Sequence, residues 1–243
     1  MGSKKKKGKR AARNKLYKTS LRWALKGLLK YGDTDLFPRP FELEVMRAHW
    51  KKLEPELATL DISNHQWHPP RKLQIPKAEL SFRSVCQLEP IDSLLFLAIV
   101  KEIGARLEAI RDPHKKRRVY GHRFSPTNDG NLYGKRNSWR AFWQWSRNLA
   151  RGRNGWVAVV DVMDFYNQIY HHRIENELDR AGVPRPHRSA IENLLKKASQ
   201  GTSRGIPIGP IPLTSSLSWP YAAFRPWKPG SSPAATIRVG TST

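Results

Sequence analysis

A short apolar run that ends in a carboxylate constrains this chain more than any other feature. Residues Trp156 to Val160 are apolar without a break, and Asp161 follows directly. A continuous run of this length predicts a strand that is buried on both faces. The carboxylate then emerges where the sheet meets solvent, which suits a metal ligand, although an Asp in this position often only caps the following turn.

The charge balance indicates a polyanionic partner. The 243 residues include 44 Lys and Arg against 20 Asp and Glu, a formal net charge of +24. Such a surplus attracts nucleic acid over a long range. A basic structural protein of ribosomal type would carry similar charge without catalysing a reaction, so the charge alone leaves the chemistry open.

The remaining composition excludes several classes of protein. The single cysteine, Cys86, excludes an intramolecular disulfide and a cysteine-based zinc cluster, and is predicted to be a small core residue. No apolar run reaches the roughly 18 residues of a membrane span. The lysine-rich N-terminus has no apolar segment behind it, unlike a signal peptide. We therefore expect a cytoplasmic protein without a membrane partner.

Apolar spacing predicts several helices, and local composition predicts the strands and loops. The helices are expected at residues 16–31, 41–53, 92–111, 138–146, 173–181 and 186–198. Strands are expected at residues 80–85 and 119–124, and loops at residues 64–76, 127–137 and 202–212. Asp92 is the predicted N-cap of the third helix. The aromatic stripe of the fourth helix (Trp139, Phe142, Trp143) is predicted to be core, the alternative being a platform on which bases stack.

Residues 159–166 read Val-Val-Asp-Val-Met-Asp-Phe-Tyr and resemble the first catalytic motif of reverse transcriptases. The resemblance implies that Asp161 binds both catalytic metals and that the Val162 carbonyl assists one of them. It further implies that Tyr166 lies beneath the sugar of the incoming nucleotide and excludes a 2′-hydroxyl by steric conflict. Asp164 and Phe165 would shape the nucleotide pocket. The alternative for Tyr166 is an ordinary core aromatic.

Residues 204–210 read Arg-Gly-Ile-Pro-Ile-Gly-Pro and resemble the Gln-Gly…Ser-Pro motif of the same enzymes. Arg replaces the usual Gln and Gly replaces Ser, as in bacterial members outside the retroviral group. In that motif a glycine lets nucleotide and template approach the backbone closely. The resemblance therefore implies nucleotide-binding roles for Arg204 and Gly205, the alternative for Arg204 being a solvated surface residue.

A third match lies upstream, where Lys77, Arg83, Pro90 and Asp92 precede a long helix and resemble the fingers motif. In that motif basic side chains clamp the incoming triphosphate, and the fork of an Arg can bind phosphate oxygens in pairs. The resemblance therefore implies that Lys77 and Arg83 bind the nucleotide.

The three matches cover roughly residues 70–212 and occur in the family's order. They imply an α+β fold with right-hand polymerase fingers and a partial palm, a helix-rich N-terminal extension and an irregular C-terminal tail. The expected parts are a basic arm with helical extension (1–70), a fingers-like region (71–150), a partial palm (151–212) and an aberrant tail (213–243).

The implied function is RNA-directed DNA polymerisation, with Mg²⁺ or Mn²⁺ as cofactor and an RNA template, a nucleic-acid primer and dNTPs as partners. Retron, group II intron and defence-associated enzymes are the related bacterial types. The alternative is a non-catalytic basic protein that binds RNA or DNA.

The second carboxylate set of the family, a Tyr-x-Asp-Asp hairpin, does not follow the Gly-Pro loop in this sequence. Residues 213–243 contain no Asp or Glu, and their permitted codons allow the family's next residues after a one-base slip. We therefore expect a polymerase that is truncated before this motif, with an out-of-frame or disordered tail, and an inactive chain. The coding DNA across codon 212 tests this expectation.

Overall fold

The computed structural model describes residues 13–34, 36–78, 81–113, 120–134, 139–152 and 164–209. Within these ranges the chain combines helices with two small antiparallel sheets, which is the expected α+β class. The helices are α1 (Lys18–Tyr31), α2 (Glu42–Ala48), α3 (Trp50–Thr59), α4 (Pro90–Ala109), α5 (Trp139–Gly152), α6 (Phe165–Gln168), α7 (His171–Arg180) and α8 (Arg185–Ala198). The strands are β1 (Arg71–Ala78), β2 (Ser81–Gln87), β3 (Arg123–Phe124) and β4 (Tyr133–Gly134), and a 3-10 turn spans Ile62–Asn64.

Helix α4 lies at the centre of the hydrophobic core. Its sequence is apolar on every face, which is typical of a helix surrounded by protein, and Leu94, Phe96 and Ile99 are all fully buried. Pro90 occupies its first turn, where the missing N–H costs no helical hydrogen bond. Helices α1 and α8 pack against α4. The predicted helix at residues 92–111 is confirmed, with both ends shifted by two residues.

Four further helix predictions agree with the structure to different degrees. α1 ends at Gly32, and α7 and α8 match their predicted ranges closely. The predicted helix at 41–53 is instead two helices, because the backbone leaves helical geometry at His49 (φ −99°, ψ 15°). α3 then continues to Thr59 with Pro55 inside it.

The prediction of a loop at residues 64–76 was wrong for its second half. Residues Arg71–Ala78 form β1, which pairs antiparallel with the expected strand β2, from Arg71 opposite Gln87 to Pro76 opposite Phe82. Pro76 lacks an N–H and argued against a strand. It is accommodated because, among the described residues, β1 has β2 as its only partner and so has an open edge.

Asp92 is not the N-cap of α4, as the sequence predicted. Glu89 holds the cap position, and Asp92 lies inside the first turn with its carboxylate fully buried. One carboxylate oxygen accepts a hydrogen bond from His65 Nε2 at 2.9 Å, and the other accepts one from the His68 amide at 2.8 Å. Asp92 therefore fixes the loop before β1 to the core helix.

The predicted core stripe on α5 is confirmed in part. Phe142 and Ser146 are buried, at 3% and 6% exposed, whereas Trp143 is 36% exposed. Trp143 lies at the edge of the buried face, so its prediction as a core residue was wrong. Ser138 and the side chain of Trp139 lie outside the described part of the chain.

Several predictions fall on residues that the structure does not describe. These are the strand at 156–160, the start of the strand at 119–124 and the tail at 213–243. The domain boundaries stay predictions. The described core unites α1, α4 and α8, one from each of the three predicted parts before the tail. None of the described helices has the length and apolar character that crossing a membrane requires.

Candidate functional site

The Gly-Pro loop (defined here as residues 202–209) is attached to the segment that follows Asp161 by backbone hydrogen bonds. The Ile206 amide donates to the Tyr166 carbonyl at 2.9 Å, and the Gly205 amide donates to the Ile169 carbonyl at 2.8 Å. The His171 amide donates to the Ser203 carbonyl at 2.9 Å. The structure thus brings together two of the three segments that resemble reverse transcriptases.

His171 adds a side-chain hydrogen bond to the same junction. Its ring is 4% exposed, and Nε2 lies 2.9 Å from the Gly205 carbonyl oxygen, so Nε2 is the atom that carries the proton. The hydrogen bond occupies the Gly205 carbonyl and orients the peptide that follows. No hydrogen-bond partner for Nδ1 is found among the described residues.

The hairpin β1–β2 completes the junction. The Cys86 amide donates a hydrogen bond of 2.7 Å to the Ile208 carbonyl, so the Gly-Pro loop extends along β2 on the side away from β1. Gly209 has a φ of 134°, and a Cβ atom there would lie 2.0 Å from the Cys86 carbonyl oxygen. The close contact explains why position 209 requires glycine.

A cavity of about 250 Å³ lies between the hairpin, the Gly-Pro loop and the end of α8. Two cationic side chains line it, Lys72 of β1 and Arg204 of the loop, and Ser84 and Asn167 add uncharged polar groups. No Asp or Glu is among its described lining residues. A concave site with two cations and no carboxylate is suited to an anion such as a phosphate group.

Neither cation of the cavity is neutralised within the described part of the chain. The side chains of Lys72 and Arg204 form no ion pair or hydrogen bond with a described residue, and both residues are exposed. Their charges therefore remain available to a ligand.

Arg83, a predicted triphosphate ligand, does not line the cavity. Ser84, Val85 and Cys86, which follow it along β2, all do. Arg83 is half-buried and sits across from Ile75 of β1. Lys77 belongs to β1, but its side chain lies outside the described part of the structure.

Asp164 begins the short helix α6 in the left-handed region (φ 57°, ψ 34°), which is uncommon for a residue other than glycine. Its carboxylate accepts hydrogen bonds from Asn167 Nδ2 at 2.6 Å and Gln168 Nε2 at 3.3 Å. Strained backbone of this kind is often found at functional sites. The Asp164 carboxylate therefore stabilises the turn of α6, which contains Tyr166.

The predicted pair Phe165 and Tyr166 packs edge to face, with ring centroids 5.5 Å apart. Both rings are half-buried against the hydrophobic core. Phe165 also lines a second, smaller hollow of about 220 Å³ with Tyr170 and Arg173. Neither ring lines the basic cavity, although Asn167 of the same helix does. Both nucleotide-binding roles stay predictions.

The predicted metal ligands Asp161 and Val162 lie outside the described residues. Within the described ranges, no group of three or more His, Cys, Asp or Glu side chains could hold a metal ion. Of the carboxylates that the resemblance implicates, Asp164 is the one described, and its oxygens accept amide hydrogen bonds. A magnesium site therefore depends on Asp161.

Cys86, although it lies at the cavity, is not suited to nucleophilic chemistry. The thiol is 3% exposed, and burial raises its pKa to about 12. It therefore stays protonated near neutral pH, and the thiolate is the reactive form. The prediction of Cys86 as a core residue is confirmed.

Sequence reasoning missed Lys72 and His171 as components of the site. Lys72 lies in a segment that was predicted to be a loop, so the strand pairing that places it opposite Cys86 was not considered. His171 gave no signal at all, because its partner is a backbone carbonyl 34 positions away in sequence.

Compared with known proteins, the chain matches no family model and no curated protein.

Proposed function

We propose that this chain is the nucleotide-holding part of a reverse transcriptase, an RNA-directed DNA polymerase. One observation carries the proposal. The Gly-Pro loop, which resembles one motif of that family, lines a basic cavity and is held by backbone hydrogen bonds to two segments that lie far from it in sequence. The Gly-Pro loop is hydrogen-bonded to Tyr166 on one side and to Cys86 of the hairpin on the other.

The residues then have distinct roles. Lys72 and Arg204 bind the phosphates of the nucleotide, since both line the cavity without a described carboxylate partner. Gly205 has a φ of 98°, and a Cβ atom there would lie no closer than 3.8 Å to a neighbouring atom, the Asn167 carbonyl oxygen, so a ligand can approach this backbone closely. The proposed sugar-selecting role of Tyr166 requires the sugar to extend beyond the cavity, because the Tyr166 carbonyl accepts a hydrogen bond from the loop but its ring does not line the cavity. Arg83 and Lys77 are the further cations proposed for the nucleotide.

Asp161 and the Val162 carbonyl are the proposed ligands of Mg²⁺ or Mn²⁺. The metal would neutralise the phosphate charge and polarise the reacting oxygens during in-line transfer to a primer 3′-hydroxyl. A hard divalent cation prefers such oxygen ligands. The RNA template and the primer are the proposed partners of the surrounding basic surface.

Binding of a fluorescent dATP analogue to the full chain, with and without Mg²⁺, tests the proposal. We expect Mg²⁺-dependent binding, a preference for the deoxy sugar, and loss of the Mg²⁺ dependence in Asp161→Asn. Asp179→Asn, which changes an exposed carboxylate of α7 outside the cavity wall, is the matched control. A metal role for Asp161 would be refuted if the parent chain bound the analogue equally well with and without Mg²⁺. It would also be refuted if Asp161→Asn and Asp179→Asn lost binding equally.

The competing function is a basic protein that binds RNA or DNA without polymerising. The net charge of +24 favours it independently of any motif. Salt-dependent binding of nucleic acid is expected under both functions, so it does not separate them. Binding of nucleic acid with no affinity for dNTPs would favour the competing function.

A further inference from the structure

Helix α5 presents a straight row of three arginines, Arg140, Arg147 and Arg151, all exposed. At 3.6 residues per turn, these positions fall within an arc of about 40° on one side of the helix. Along the helix axis, Arg147 lies about 10 Å from Arg140, and Arg151 lies about 6 Å beyond Arg147. Phe142 and Ser146 lie buried on another side, so the helix has a core face and a separate arginine face.

The arginine face is not neutralised by the described part of the protein. Helix α5 contains no Asp or Glu, and none of the three guanidinium groups pairs with a described carboxylate. Arginines elsewhere differ in this respect, since Arg22 pairs with Glu54 and Arg111 pairs with Glu108. A row of like charges repels itself and is stabilised by an anionic ligand that spans it.

Trp143 lies beside the arginine row. On the helix it is about 60° from Arg140, and its side chain is 36% exposed. Its ring packs edge to face on the buried Phe142, with centroids 5.8 Å apart, which holds the indole in place. Part of an oriented aromatic surface is therefore open next to three cations.

We propose that this face of α5 binds a single-stranded nucleic acid. Phosphates lie along Arg140, Arg147 and Arg151, and an unpaired base stacks on Trp143. Positive charge that follows the backbone, combined with an aromatic platform, is the general design for single strands. A duplex offers phosphates but keeps its bases stacked inside. An anionic membrane is disfavoured because Phe142, on the apolar face of α5 that would insert, is already buried within the protein.

This surface is distinct from the basic cavity, since no residue of α5 lines that cavity. The proposal holds whether the chain is a polymerase part or a binding protein. Its test is therefore independent of the test of the proposed function.

Fluorescence anisotropy with a labelled oligouridine and with a blunt RNA duplex tests the proposal on the full chain. The test variant carries Arg140→Gln, Arg147→Gln and Arg151→Gln. The matched control carries Lys18→Gln, Lys51→Gln and Lys52→Gln, which remove the same charge from exposed positions of α1 and α3. Circular dichroism checks that both variants are folded.

For the single strand, the slope of log Kd against log salt is expected to fall by about 2 in the α5 variant, at roughly 0.7 for each lost phosphate contact. The control is expected to keep the parent slope. Equal slopes in the two variants would overturn the proposal, and so would a larger loss for the duplex than for the single strand.

Trp143→Ala supplies a second measurement that leaves the charge unchanged. It is expected to weaken oligouridine binding roughly fivefold to a hundredfold, which is the range for losing one base–aromatic stack. Trp143→Phe, which keeps an aromatic face, is expected to recover most of that loss. Unchanged binding in Trp143→Ala would overturn the assignment of a single strand.

Discussion

Gly209 lies against the backbone of Cys86 so closely that a Cβ atom would be 2.0 Å from the Cys86 carbonyl oxygen. The neighbouring hydrogen bond, from the Cys86 amide to the Ile208 carbonyl, is 2.7 Å long. Contact and hydrogen bond together attach the Gly-Pro loop to the hairpin beside the cavity, which Cys86 and Ile208 both line.

Gly209→Ala is therefore expected to detach the loop, because the atoms that the new Cβ would meet belong to the Cys86 backbone and not to a flexible side chain. We expect a loss of about 2–4 kcal/mol in the free energy of unfolding and faster labelling of the buried Cys86 thiol. Gly201→Ala is the control, since Gly201 also has a positive φ (82°) but has nothing within 4 Å. It should cost only about 1–2 kcal/mol for the left-handed backbone. Equal labelling rates in the two variants would contradict the docking.

The cations that line the cavity are expected to contribute more to anion binding than Arg83. Lys72→Gln and Arg204→Gln should each weaken tripolyphosphate binding about tenfold, the loss of one charge-assisted hydrogen bond. Arg83→Gln should have a smaller effect, because Arg83 does not line the cavity. Isothermal titration calorimetry measures all three variants. If Arg83→Gln gave the largest loss, the triphosphate would bind outside the cavity.

Tyr166→Ala is expected to relax the choice of sugar. The Tyr166 carbonyl binds the Ile206 amide, and this backbone hydrogen bond survives the substitution. Affinity for ATP should therefore rise toward that for dATP, as the ring no longer excludes the 2′-hydroxyl. Tyr166→Phe keeps the ring and should keep the discrimination. Competition of ATP and dATP for the fluorescent analogue gives the ratio, and an unchanged ratio in Tyr166→Ala would assign Tyr166 to the core alone.

Asp92→Ala is expected to destabilise the fold by about 2–3 kcal/mol, because it leaves the His68 amide and the His65 ring without their buried acceptor. Asp92→Asn should cost less. Its oxygen can accept from the His68 amide while its NH₂ group donates to the other tautomer of His65. Urea unfolding of both variants checks the order, and a cost for Asn as large as that for Ala would show that the charge itself is required.

Asp33 gives the stability a pH dependence. It is 3% exposed, and burial raises its pKa above the ordinary value of 3.8, against the opposing hydrogen bonds from Gln87 and Ser93. The folded state therefore holds this proton more tightly than the unfolded state. Its contribution to stability is greatest below pH 3.8 and declines as the pH rises through the raised folded pKa.

Asp33→Asn, which cannot ionise, should remove this decline. We expect the variant to gain stability relative to the parent as the pH is raised from 4 to 7, measured by urea unfolding at each pH. A parent and variant that differ by a constant amount over this range would show that Asp33 is already ionised in the folded protein.

Several elements could be predicted because their signals are local. Helices α1, α4, α7 and α8 have apolar residues at helical spacing or an apolar run with a clear end, and each was found close to its predicted range. Strand β2 and the Gly-Pro loop were also found close to their predicted ranges. Local spacing decides these elements because it determines which face can be buried.

The errors occur where a distant partner overrides the local signal. Pro76 and neighbouring charges indicated a loop, but pairing with β2 makes the segment a strand. Asp92 had the position and chemistry of an N-cap, yet two histidines more than twenty residues upstream bind its carboxylate inside the core. Trp143 had the spacing of a core residue, and it lies at the edge of the buried face.

The sequence by itself determined the motifs, their order and most of the helices, since these depend on neighbouring residues. Only the tertiary structure decided that Lys72 and Arg204 line the same cavity while Arg83 does not. The reason is physical. The direction of a strand side chain depends on register, and the position of the Gly-Pro loop depends on backbone hydrogen bonds that carry no side-chain signature.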